Sequence, residues 1–231
     1  ILNVDANNEA AYNAYIDANP NLFDSPATLA QVQAMVTAVN ASTGVLAQIG
    51  LEGDTGNTVP SVVTVAQINT ISPAILNVDA NNEAAYNAYI DANPNLFASP
   101  ATAAEVQAMV TAVNASTGVL AQIGNEADAP DTVVSVVTAA QINQISPPIT
   151  GALEANEAAY QAYIDANPLL FASPATLAEV QSMVLAVNAS TGVLAQIGLE
   201  GDTGNIVPSV VTVAQINQIS PPITGALEAN E

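Results

Sequence analysis

Oxygen ligands are the first chemistry this sequence offers. Glu52 and Asp54 lie two residues apart in "EGDTGN", and Glu200 and Asp202 repeat the pair in a second copy. Closely spaced carboxylates in a glycine-rich stretch suit a calcium ion, a hard cation that collects oxygen donors from flexible loops. The plainer reading of the same residues is a solvated turn. "DANNE" sets Asp5, Asn7 and Glu9 at alternate positions like the opening of a calcium loop, and Asp79, Asn81 and Glu83 repeat it. Leu153 replaces the first carboxylate in the third copy, so a site common to every copy is not expected. "NAS" at 40–42 is an N-glycosylation acceptor sequence, recurring at Asn114 and Asn188. These residues also fit a polar helix end followed by a Ser or Thr cap. Tyr12, Tyr15 and Phe23 have the makings of a platform for sugar rings. Their helical spacing, in a chain with six Tyr, three Phe and no Trp, assigns them instead to the core.

Other chemistry is excluded by absence. The chain has no Lys, Arg, His or Cys. Without His the usual general base is missing, and no thiolate nucleophile or zinc-thiolate site can form. Ser and Thr are plentiful but have no basic side chain to activate them. Asp17, Asp91 and Asp165 precede "ANP" and read as polar residues closing a helix, not as catalytic acids. No enzyme is expected and no cofactor is called for, calcium being the one candidate. A formal charge of −21 cannot displace phosphate counterions, which excludes nucleic acid as a partner. No uninterrupted apolar run approaches the ~20 residues that cross a bilayer, so membrane insertion of this segment is not expected. With neither Lys nor Arg, the chain offers trypsin-like proteases no cleavage site, which suits an extracellular surface.

The candidates recur because the chain repeats. Tyr12, Tyr86 and Tyr160 are 74 residues apart, as are Gly50, Gly124 and Gly198, and no insertion breaks the register. The units are 1–74, 75–148 and 149–222, with 223–231 opening a fourth. Residues 1–74 and 75–148 differ at 12 positions, five of them within 51–57 and its copy 125–131; 51–61, "LEGDTGNTVPS", holds Gly, Asp, Asn and Pro breakers and is read as the loop. The last nine residues repeat 149–157 letter for letter, and neither end looks like a cap. A slice of a longer periodic protein is therefore expected.

Within a unit the patterns are helical. "NNEAAYNAYIDANP" predicts a helix over about 8–18, capped by Asn7 or Asn8 and stopped by Pro20. "SPATLAQVQAMVTAVNA" predicts the clearest one, with Ser25 at the cap and Pro26 at the first helical position; Thr28 and Gln31 offer a second capping-box register. Leu29, Val32, Met35, Val36 and Val39 make its core-facing stripe. "STGVLAQIG" predicts a short third helix or a kinked extension, terminated at Gly50. A last helix is expected from Thr64, with Gln67 completing its box, to Pro73, and Val62–Val63 leave a short extended piece open. The fold class is thus all-α: tandem 74-residue helical repeats stacked as an elongated rod or α-solenoid-like array. A lone unit of this size is marginal without staples. Neighbouring units are therefore expected to pack on one another.

Stretches such as "VPSVVTVAQINQISPPITGALEANE" (207–231), "AAYQAYIDANP" (158–168) and "SPATLAEVQSMV" (173–184) resemble tandem helical repeats in giant bacterial surface and biofilm adhesins. The resemblance covers the whole chain. It implies an extracellular, cell-surface address and a role as stalk or fibre spacer. Two features depart from it: there is no β-sandwich strand pattern, and the glycine-rich calcium nonapeptide is absent. The alternative expectation is a self-assembling subunit of an extracellular filament or surface layer. The partners expected are neighbouring repeats of the same protein, with lateral self-association once salt screens the charge.

Overall fold

The computed structural model describes every residue except 54, 55, 57, 129–131, 202, 203, 205, 207 and 222–231. The expected opening of a fourth unit, 223–231, lies outside the described residues. Among the described residues every regular element is helical. Three α-helices recur in each copy: α1 (Glu9–Ala18), α2 (Leu29–Glu52) and α3 (Val65–Ile68); then α4 (Glu83–Ala92), α5 (Ala103–Glu126) and α6 (Ala139–Ile142); then α7 (Glu157–Ala166), α8 (Leu177–Glu200) and α9 (Val213–Ile216). One-turn 3-10 segments precede and follow the first helix of each set.

The long helix begins where its capping box closes. Thr28 accepts the Gln31 N–H while Gln31 accepts the Thr28 N–H at 2.8 Å, so two otherwise orphaned donors are satisfied together. Leu29 is therefore the first helical residue, and the expected start at Ser25–Pro26 is corrected; that peptide is cis and lies ahead of the helix. "STGVLAQIG" forms neither a third helix nor a kink. It continues α2 without a break to Glu52, for 24 residues in all, and Gly53 rather than Gly50 closes it with an N–H on Ile49 O. Thr64 and Gln67 form the same box at α3, but the helix lasts one turn. The chain then bends so that Ile68 and Ile71 both enter the core. The expected helix as far as Pro73 is thus shortened.

By length and composition alone, α2 and α8 could cross a membrane. The sequence lacks an unbroken apolar run because Asn40, Ser42 and Gln48 interrupt α2. Each of these holds a neighbouring segment by hydrogen bonds.

Two compact units, Ile1–Asn114 and Ala115–Glu231, divide the chain inside α5. In the first, Met35, Val36 and Val39 of α2 pack with Tyr12, and Val32 borders them. A second cluster gathers Val45 and Ile49 from the far half of α2, then Val63, Ile68 and Ile71, then Tyr86, Ile90 and Phe97, and finally Val106 to Val113 of α5. It therefore draws on residues from both sides of the 74/75 sequence boundary. In the second compact unit the equivalent cluster runs from Val119 to Val187 and likewise takes residues from both sides of 148/149.

Candidate functional site

The place where one sequence repeat meets the next within each compact unit is the most highly built polar site. Glu83, Asn87 and Asp91 sit at i, i+4 and i+8, so they form one row along α4. Residues 61–65 alternate inward and outward, with Ser61 and Val63 buried and Val62 65% exposed, as an extended segment does. The row reads this segment's backbone. Asp91 Oδ1 accepts the Ser61 N–H at 3.0 Å, Asn87 Nδ2 donates to Val63 O at 3.1 Å, and Glu83 Oε2 accepts the Val65 N–H at 2.8 Å. The geometry follows from two periods. Four helical residues rise about 6 Å, and two extended residues advance about 6.7 Å. A row spaced by four on a helix therefore meets backbone groups spaced by two on a segment running the opposite way. Glu157, Gln161 and Asp165 of α7 hold Ala139 N–H, Val137 O and Ser135 N–H in the same order, at 3.0, 2.9 and 2.9 Å. Asp91 and Asp165 were expected only to close their helices; they also grip the preceding repeat.

Glycine completes the contact. A Cβ at Gly50 would lie 2.6 Å from Ala98 O and 2.7 Å from Ala101 N, and Gly124 faces Ala172 O and Ala175 N at the same distances. The bare helix surface lets the 98–101 loop approach closely enough for the Ala101 N–H to donate to Leu46 O at 3.0 Å, and Ala175 N–H reaches Leu120 O likewise. Gly50 is thus a close-approach glycine, not the helix terminator that was expected.

The sequon asparagines lie inside the long helices. Asn114 Oδ1 accepts from Tyr86 Oη at 2.9 Å and Asn82 Nδ2 at 2.8 Å, while its Nδ2, the atom a glycan would occupy, donates to Asn77 O at 2.7 Å. Asn40 and Asn188 make the equivalent bonds to Tyr12 and Asn3 O, and to Tyr160 and Gly151 O. The accepting carbonyls belong to residues of positive φ: Asn3 and Asn77 at 58° and Gly151 at 83°. Ser42 and Ser116, two residues further along the sequons, are buried and accept the N–H of Ser72 and Ser146 at 2.9 Å.

Glu52, proposed as a calcium ligand, is 4% exposed, and its Oε1 accepts from Gln48 Nε2 at 2.8 Å. Gln48 in turn accepts from Gln67 of the α3 capping box. Glu200, Gln196 and Gln215 repeat this relay, and Glu200 Oε2 also accepts the Val210 N–H at 3.2 Å. Asp54 and Asp202 lie outside the described residues. Among the described residues no three acidic side chains gather as a metal site would require. Asp5 and Asp79 cap a 3-10 turn by accepting the N–H of Asn7 and Asn81 at 2.9 Å. Tyr12 is buried, Tyr15 and Phe23 are half-buried, and their counterparts Tyr89 and Phe97 meet edge to face at 6.4 Å. These aromatics are packing residues rather than an exposed platform.

Among the described residues three carboxylates sit below their usual range. The Thr102 N–H lowers Glu105 and the Thr176 N–H lowers Glu179, both as capping-box partners. The Thr132 hydroxyl lowers Asp128. Each serves the local backbone.

Compared with family models, curated proteins and solved structures, the chain matches none.

Proposed function

We propose that this chain is a structural repeat segment of an extracellular bacterial surface protein, serving as a stalk or fibre spacer of the giant-adhesin kind. The observation that carries the reading is the shared core: Val45 to Ile71 of one repeat and Ile75 to Val113 of the next contribute to one hydrophobic cluster across the repeat boundary, with α4 gripping segment 61–65. A repeat that completes its core with its neighbour's residues propagates a fixed geometry, and geometry is what a spacer supplies. The reading needs neither catalysis nor a cofactor.

The test compares one, two and three repeats of 74 residues. Stability to urea rises with repeat number, and the maximum dimension in small-angle scattering grows linearly. A single repeat as stable as three, with no linear growth, overturns the reading.

A further inference from the structure

The long helix α5 serves two interiors, and its side chains change sides within a few residues. The hydrophobic cluster of the first compact unit takes α5 residues up to Val113, and that of the second begins at Val119. No residue of 114–118 belongs to either cluster. The polar contacts divide at the same place. Asn114 bonds back, to Asn77 O, Asn82 Nδ2 and Tyr86 Oη. Ser116, two residues on, bonds forward: its buried Oγ accepts the Ser146 N–H at 2.9 Å. Gly118 follows, exposed in the middle of the helix. A Cβ there would meet nothing within 4 Å and the backbone is helical, so neither a close approach nor a left-handed conformation calls for glycine. What glycine does supply is a helix interior that opens more easily than alanine would allow. α2 and α8 carry the same succession, at Asn40, Ser42 and Gly44 and at Asn188, Ser190 and Gly192.

We propose that the two interiors open one at a time, with α5 parting between Asn114 and Gly118, so that the element which yields is a core and not a sequence repeat. Opening the second cluster melts the far half of α5 and leaves its near half helical on the first cluster. Opening the first cluster does the reverse. Folded chains open in cooperative blocks of contiguous structure. A block ends where apolar contacts and hydrogen bonds change sides together, and 114–118 meets both conditions. The sequence repeat 75–148 is then no block, since it holds part of each cluster. The inference rests on the structural-repeat reading for its use: a spacer whose cores open singly lengthens in steps under load while the rest of it stays folded.

The test is hydrogen exchange, read by mass spectrometry, on the full 231-residue chain with one buried isoleucine truncated in either core. Ile49 lies in the first cluster and Ile123 in the second, and both are fully buried. Ile123→Ala is expected to speed exchange by at least ~30-fold in 119–126 and in α7, while 103–113 and α4 exchange as in the parent. Ile49→Ala is expected to speed exchange in α4 and 103–113 and to spare 119–126 and α7. The two halves of one continuous helix thus answer to opposite variants. Ile49→Val and Ile123→Val, which cost less, give the same segregation at roughly 2- to 10-fold if an alanine variant fails to fold. Exchange that rises in both halves of α5 together, in the alanine or the valine pair, overturns the proposal. So does an Ile123 variant that leaves α7 unchanged. If the cores open together while tandem repeats still outlast single ones in urea, the structural-repeat reading stands without this device.

Discussion

Tyr86 Oη and Asn114 Oδ1 are 2.9 Å apart, joining a helix of ten residues to the middle of one of 24. The same hydroxyl accepts the Asp79 N–H at 2.9 Å, so its donor and one acceptor site are both used. Tyr86→Phe leaves a backbone N–H without its partner in a water-poor setting, and such losses cost ~1–3 kcal/mol. Tyr89→Phe, whose hydroxyl has no such pair, shifts stability by less than ~0.5 kcal/mol. Urea unfolding of the two variants checks the contrast; equal midpoints would rule out the polar node as a source of stability.

The asparagine amide in that node has a consequence for glycosylation. Asn114 Nδ2 is committed to Asn77 O, so the folded chain is a poor acceptor for an oligosaccharyl transferase. Mass spectrometry after enzymatic treatment of the native protein is expected to find Asn40, Asn114 and Asn188 unmodified.

Asn77 is a case where the repeats themselves suggest the variant. Its φ is 58°, and the third repeat places Gly151 at the equivalent position with φ 83°. Asn77→Gly is therefore tolerated, whereas Asn77→Ala keeps the crowding of Cβ on the following carbonyl and loses the polar side chain that offsets it in Asn, leaving it ~1–2 kcal/mol less stable than the glycine variant. Thermal unfolding of both variants gives the order; an alanine variant as stable as the glycine variant would contradict the strain argument.

The glycines at the repeat contact predict opposite signs for one substitution. Gly50→Ala drives a methyl into Ala98 O and Ala101 N and destabilises by ~1–3 kcal/mol, as overpacking does. Gly198→Ala meets open space and stabilises α8 by up to ~1 kcal/mol, since Ala is the better helix former. Gly192→Ala, also in open space, serves as the control for helix propensity alone.

Acid stability is expected to depend on two capping carboxylates. Glu105 and Glu179 are held low by the N–H groups of Thr102 and Thr176, so their folded pKa lies below the unfolded one. Their contribution is present above the unfolded value of about 4.3 and is lost as pH falls through the folded value. Gln31 makes the same bonds without a charge. The double variant Glu105→Gln, Glu179→Gln is thus expected to flatten the fall in stability below pH ~4. Unfolding followed as a function of pH reads the slope, and an unchanged slope would remove these caps from the account.

The helices were legible because their signals are local. The Thr28–Gln31 and Thr64–Gln67 boxes and the Met35, Val36, Val39 stripe each depend on residues a turn apart, and they formed as the spacing implied. The contact between repeats was much less legible. Glu83, Asn87 and Asp91 look like an ordinary wet helix face until segment 61–65 is brought beside them, and that pairing spans 18 to 30 residues. One signal was available: an acid, an amide and an acid recur at i, i+4 and i+8 in all three copies, as Glu9–Asn13–Asp17 and Glu157–Gln161–Asp165 show. Gly50 was misread for a related reason. A glycine near a helix end suggests a stop, but here the lack of a side chain serves a loop nearly fifty positions away.

Because α2 sends Met35, Val36 and Val39 into one cluster and Val45 and Ile49 into the next, its helical phase ties the two together. Adding or deleting a single residue between Val39 and Val45 would turn one set by about 100° relative to the other, and both interiors could not stay filled. Five of the 12 differences between the first two copies fall within 51–57, beyond the last of these core residues. Drift in this family of copies is thus channelled into the joints, while the beams are frozen in length.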